Sequence, residues 1–228
     1  MCMGKTHCLV GAAVGASWSE FVTHSDWQYT AVFAGFTGAL ALWPDVDHCG
    51  SSVARSLGFF SRMIAWFIGK ITGGHRHATH SVPGILVTAG LALLAVQFLT
   101  YWEAKAFLAI IITFSVSGML EDLGILDSHW ADLAAIAVSA FVIWRGYGLA
   151  MIPLAVLIGC SAHTLADLLT DSGVMLAFPF SRQHFHLLPE PFAFTTNTRP
   201  EKIVMVLAAV ALGLLAWHAL PLPGVRGL

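Results

Sequence analysis

Charge is what this sequence has least of. Asp, Glu, Lys and Arg make up 11% of its 228 residues and hydrophobic residues 57%, where a soluble domain carries about 25% charged residues. So few charges cannot cover a water-facing surface, which excludes the soluble class and points to the membrane. A basic excess is missing too. The formal net charge is -2, so no nucleic-acid partner is expected, because readers of nucleic acid carry a basic face. Cys2, Cys8, Cys49 and Cys160 form no CxxC pair and no framework spacing. That argues against a disulfide scaffold or a thiolate zinc site and leaves small buried or reduced thiols. The chain also lacks an internal repeat, a low-complexity linker and an A-x-A cleavage site before Asp26, so the apolar stretch from Cys8 reads as a retained helix. The length fits one membrane-embedded helical domain over residues 1–228, with no room for a separate soluble one.

What is present is a series of apolar stretches, at 8–22, 29–43, 82–100, 106–126, 131–144, 147–169 and 203–220. The expected fold class is all-α: a polytopic transmembrane helical bundle of about seven spanning helices plus one interfacial amphipathic helix. Several stretches fall short of the roughly 20 residues of a perpendicular span, so they must thin the bilayer locally or lie within the bundle. The amphipathic segment is 57–72. Leu57, Phe60, Ile64, Phe67, Ile68 and Ile71 share one face, and Gly58, Ser61, Arg62, Ala65, Gly69 and Thr72 fill the other.

A flat 57–72 segment places every polar motif on the N-terminal side of the membrane. Two crossings return the chain there at Pro44-Asp45-Val46-Asp47-His48, the flat helix keeps His75–Ser81 there, and four more crossings bring back His163 and Asp167. Lys5, Arg55, Arg62, Lys70, Arg76, Arg182, Arg199 and Lys202 fall on that side, and Lys105, Arg145 and Arg226 opposite. The positive-inside rule makes the motif side, and the N-terminus, cytoplasmic.

The motifs gain weight from their convergence. Thr6-His7, with Gly11, stands at the mouth of the first helix and means little alone. Asp45 and Asp47 follow a helix stopped by Pro44, because the residue before a proline avoids the α region. His75-Arg76-His77-Ala78-Thr79-His80-Ser81 packs imidazoles and a guanidinium into one loop, with Ser81 placed to cap the next helix. His163 and Asp167, four apart, share one helix face inside the membrane, where ionisable groups are costly. Catalytic zinc takes three protein ligands and an open position. The candidate ligands His7, Asp45, Asp47, His75, His80, His163 and Asp167 exceed that number, which suits one divalent metal with a supporting set of residues, or two metals. Glu121 and Asp122 end a helix on the same side and read as solvated.

The order Thr6-His7, Pro44-Asp45-Val46-Asp47-His48, His75-Arg76-x-x-Thr79-His80-Ser81 and His163-x-x-x-Asp167, with the later Phe178-Pro179-Phe180-Ser181, resembles the LexA-regulated, membrane-bound metal-dependent hydrolase family. The likeness runs from His7 to about Arg182. Members often carry Gly at the position of His77, so His77 is not carried over as a ligand. The resemblance implies a helical inner-membrane protein with metal-dependent hydrolase activity, without supplying a substrate; the ligand surplus itself suggests the metal, zinc in one or two copies.

The leading expectation is a metal-dependent hydrolase at the cytoplasmic face, acting on a phosphoester such as a lipid head group through a metal-activated water. Asp45 or Asp167 would take the proton and Arg76 would meet the phosphate. A divalent-cation or proton-coupled transporter is the alternative, and a structural metal site a third. A transporter site belongs near the midplane on interrupted helices, which these motifs do not match. The partners expected are the lipid bilayer and a phosphorylated or lipid substrate; nothing in the sequence fixes an oligomeric state.

Overall fold

The computed structural model describes residues 4–23, 26–189 and 192–219. Cys2 and Arg226, weighed above, lie outside the described residues. Within them the chain is helical, and no strand forms; isolated bridges joining Thr170 to Phe194 and Val174 to Phe185 fold the segment before the final helix.

Helix α1 spans Gly4–Thr23 and α2 spans Trp27–Leu40, capped by the Asp26 carboxylate, which accepts from the Gln28 and Tyr29 N–H groups. The two pack closely through small residues. A Cβ at Gly11 would meet the Ala41 Cβ at 2.6 Å, and one at Gly38 would meet the Cys8 carbonyl oxygen at 2.9 Å. Small residues give membrane helices this backbone approach, because lipid offers no hydrophobic drive to hold helices together.

The helix expected over 29–43 is shorter than that. It stops at Leu40, and a 3-10 turn, Trp43–Asp47, takes over with Pro44 in its first turn. This end leaves the carbonyls of Leu40 and Ala41 without helical N–H partners; the first accepts from Cys160 and the second meets His163 of the site.

A short helix α3, Ser52–Arg55, precedes α4, Phe59–Ile71. Helix α4 buries only its small residues Ser61 and Ala65, and turns Phe59, Phe60, Met63, Trp66, Phe67 and Ile71 outward. Its 13 residues make a rod about 20 Å long, too short for the roughly 30 Å hydrocarbon layer. Helices α5 (Val82–Gln97), α6 (Trp102–Asp122), α7 (Ser128–Arg145), α8 (Ile152–Asp167) and α9 (Arg199–Ala219) complete the bundle. Ser81 caps α5 by accepting from the Gly84 N–H, as its position before the apolar run predicted.

Among the described residues, three stretches are long and apolar enough to cross a membrane: Trp102–Asp122, Leu149–Asp167 and Arg199–Ala219. About seven were expected. Helix ends explain two of the four: α2 has 14 residues and α5 has 16, each below the roughly 20 that a perpendicular span requires; α1 and α7, with 20 and 18 residues, are long enough but carry polar and charged residues that lower their hydropathy. The exterior is nevertheless apolar. Leu86, Leu93 and Leu94 on α5, and Val206, Leu207, Val210 and Leu214 on α9, face outward. The interior carries the polar groups, an arrangement that only a lipid solvent favours.

Candidate metal centre

The core of the site lies where helices end. His7 sits in the second turn of α1. Asp45 and Asp47 come from the 3-10 turn after α2, His75 to His80 from the loop before α5, and His163 and Asp167 from the last two turns of α8. Up-and-down packing brings these ends to one side of the bundle. His7, Asp45, Asp47, His80, His163 and Asp167 are all buried.

Hydrogen bonds fix which imidazole nitrogens remain available. His163 Nδ1 lies 2.6 Å from the Ala41 carbonyl oxygen. A carbonyl only accepts, so Nδ1 carries the proton and Nε2 holds a lone pair. The Thr79 hydroxyl donates to Asp47 Oδ2, which cannot donate back, so Thr79 Oγ accepts from His80 Nδ1 at 2.9 Å. His80 therefore also presents a bare Nε2.

These two lone pairs face each other at 3.1 Å. With both atoms bare they cannot hydrogen-bond to one another; a proton on one of them, or a cation between them, resolves the contact. Asp45 Oδ1 lies 3.5 Å from His80 Nε2 and 3.6 Å from His163 Nε2, and Asp167 Oδ2 lies 3.8 Å and 3.6 Å from the same atoms. Donors about 2.0–2.1 Å from a tetrahedral ion stand about 3.3–3.4 Å from each other. The donor set, two neutral imidazoles and two carboxylates, fits a divalent metal by both chemistry and spacing.

Further donors surround this centre. Three triads, each with its ligand atoms mutually within 4.8 Å, could hold a metal ion: His7, Asp45 and His163; Asp45, His75 and His80; and His80, His163 and Asp167. They share members, so the cluster accommodates one ion in alternative positions or two neighbours. The His7 ring stacks on the His163 ring with centroids 3.7 Å apart, and His7 Nε2 lies 3.5 Å from Asp167 Oδ1. Buried polar atoms without a hydrogen-bond partner concentrate here: both His7 ring nitrogens, Asp45 Oδ1 and His75 Nε2. Buried polar groups are normally satisfied, so such a concentration marks a ligand-binding position.

Asp45 and Asp47 divide the work. Asp45 belongs to two of the triads. Asp47, expected as a ligand, belongs to none of them; its Oδ1 accepts from His75 Nδ1 at 2.8 Å and its Oδ2 takes the Thr79 hydroxyl. It orients the histidines, the service that a carboxylate renders behind a metal-ligating imidazole. Burial pushes the Asp45 carboxyl up, but His163 beside it, its pairing with His80, and His7 outweigh that and hold it below the usual carboxylate range. Burial holds the His80 imidazole below its ordinary value; the pairing with Asp45 offsets only part of this, and His163 adds to the lowering.

Arg76 does not face an open substrate position. Its guanidinium is buried, donating from Nη1 to Thr170 Oγ and the Gly173 carbonyl at 3.1 Å each, with Nη2 3.0 Å from Asp167 Oδ1. It takes a positive φ of 64° to reach them.

His77 turns away from the cluster, its Nδ1 on the His75 carbonyl and its ring against Phe178. Glu121 pairs with Arg55 at 2.8 Å and Asp122 accepts from Ser52; neither joins a triad. Cys8 and Cys160 are buried, Cys160 against the Leu40 carbonyl, and Cys49 is exposed.

Sequence reasoning passed over Glu201. This buried residue in the first turn of α9 accepts from Thr6 Oγ at 3.0 Å and from the Asn197 N–H at 2.5 Å, tying α9 to the residue beside His7. An acid heading an apolar run was the available signal.

Neither a curated protein nor a solved structure matches the chain. The profile of one family does, that of the YdjM inner membrane protein, over residues 1–221.

Proposed function

We propose that this chain, which belongs to the YdjM inner membrane protein family, is a multi-pass metal-dependent hydrolase with its centre at the cytoplasmic face. Zinc is the ion we assign, in one or two copies, and a phosphoester of the membrane, such as a lipid head group, is the substrate class. The spans beyond the three long apolar stretches are supplied by α1, α2, α5 and α7, with α4 lying in the interface and the N-terminus cytoplasmic.

The observation that carries this reading is the pair of bare Nε2 atoms of His80 and His163 at 3.1 Å, flanked by Asp45 and Asp167. A divalent metal there supplies Lewis acidity, bringing the pKa of a water to about 7. The chain's own residues do the rest. His163 is held in one tautomer by the Ala41 carbonyl, and His80 by Thr79 and Asp47. Arg76 fixes Asp167. With His80, His163 and Asp167 as the three ligands, Asp45 Oδ1, which has no hydrogen-bond partner, is left to accept a proton from the water in the open position. Placement at helix ends favours hydrolysis over transport, which calls for a midplane site on broken helices.

The test is metal analysis of the purified protein, followed by phosphodiester hydrolysis before and after chelation. Stoichiometric zinc, lost in His80→Ala and His163→Ala together with hydrolysis that zinc restores only in the wild type, is the expected result. Wild-type protein that carries no divalent metal and takes none up overturns it.

A further inference from the structure

A cleft of about 400 Å³ opens beside the metal centre, between the 3-10 turn and α4. Asp47, Cys49, Trp66 and Lys70 line it. The Asp47 carboxylate, itself buried, holds His75, so this one residue lies between the cleft and the metal cluster. The wall on the α4 side is made of Gly69, Gly73 and Gly74. Gly69 lets α4 approach so closely that a Cβ there would lie 2.8 Å from the Asp47 carbonyl oxygen. Gly73 and Gly74 take φ of 88° and 109°, which side-chain-bearing residues avoid. The result is a wall of bare backbone.

The charge in this cleft and the character of its rim differ in kind. Lys70 is exposed and its ammonium lies 5.8 Å from the centre of the Trp66 ring, which steadies the cation at the mouth. From the same helix Phe59, Met63, Trp66 and Phe67 project outward. A helix about 20 Å long with such a face lies along the membrane surface with that face in the acyl region. A cation at a cleft mouth therefore sits beside acyl chains, which is the position of a lipid phosphate.

We propose that this cleft receives the phosphate-bearing head group of a bilayer phospholipid, with Lys70 as the phosphate contact and the acyl chains left in the membrane along α4. The proposal rests on the hydrolase reading for its meaning, since it names the substrate class of that centre and the route by which the substrate arrives. Lys70, not the buried Arg76, meets the phosphate first. Diffusion within the bilayer then replaces capture from water.

Cys49, exposed and lining the cleft, is a native reporter. The full chain is placed in nanodiscs of phosphatidylglycerol or of an uncharged diglycosyl-diacylglycerol, and the rate of maleimide modification at Cys49 is read by peptide mass spectrometry. Several-fold slower modification in the phospholipid discs is expected, with the protection lost in Lys70→Glu and kept in Lys70→Arg. Equal rates in the two lipids, protection unaffected by Lys70→Glu, or equal protection by soluble glycerol phosphate in the uncharged discs would each overturn the proposal. The readout needs neither bound metal nor turnover, so it fails independently of the metal analysis that tests the hydrolase reading.

Discussion

His80 Nε2 and His163 Nε2 lie 3.1 Å apart, while the proton of each ring is committed on its far side, to Thr79 and to the Ala41 carbonyl. Nothing in the covalent structure holds two such lone pairs together; the metal ion proposed above would. Removing the ion should cost the fold as well as the chemistry. Chelation is expected to lower the melting temperature in detergent and zinc to restore it. A ligand at a thousand times its Kd contributes about 4 kcal/mol. His80→Ala/His163→Ala should show no response to either treatment.

Thr79 links Asp47 to His80 and sets the tautomer of the latter. Thr79→Val keeps the shape and removes the hydroxyl. Metal affinity should fall roughly 10–100-fold, the range seen when partners behind a ligand are lost. Thr79→Ser should recover most of it, as competition with a chelating indicator would show.

Arg76 is buried against Asp167. Arg76→Met leaves a buried carboxylate without its cation, and breaking a buried pair costs about 3–5 kcal/mol. Denaturation of the metal-free protein should show that loss. Arg76→Lys should retain part of the stability but not the bonds to both Thr170 and Gly173, because an ammonium lacks the guanidinium fork.

His80 is held below its ordinary value of 6.5 by burial. A folded pKa below the unfolded one means that the unfolded chain binds the proton more readily. The stabilisation is full above about pH 6.5 and is lost as pH falls toward the folded value. Melting of metal-free protein should be flat between about pH 7 and 8 and should fall below about 6.5. His80→Asn should flatten that fall.

The expected topology puts residues 49, 74 and 77 on the cytoplasmic side and Lys105 opposite. Reporters fused at Cys49 and Gly74 should give the same sidedness, and a Cys at residue 77 should resist impermeant labelling from outside. Opposite signals at 49 and 74 would mean that α4 crosses the membrane.

The site was legible in proportion to how badly its residues suit lipid. His163 and Asp167 inside an apolar helix, and the histidine-rich loop at 75–80, stand out because their burial is costly, and they are the residues that converge. The roles of Asp45 and Asp47 were not separable, because only the 3-10 turn decides which carboxylate joins the candidate triads. Ala41 was invisible in principle: its contribution is a backbone carbonyl released by a helix end, which no side chain announces. Glu201 had a signal that went unread, since an acid beside Lys202 at a helix start resembles a solvated cap. The number of spans was the weakest reading. Hydropathy marks where a helix is apolar but not where it stops, and α2 stops at Leu40.

Glu201 and Thr6 are 195 residues apart in the chain, and the clasp they form has a consequence for biosynthesis. His7 is inserted with the first helix, while His163 and Asp167 reach the membrane only after most of the protein has left the ribosome. Throughout that interval the early ligands have no partners. Contacts of such sequence separation form slowly, because loop closure precedes any gain from the contact. The centre is therefore assembled at the end of synthesis, and α9 secures α1 later still. The metal proposed for this cluster would therefore be acquired late in membrane insertion, since a nascent chain halted before residue 163 has the histidine-rich loop without the helix that completes it.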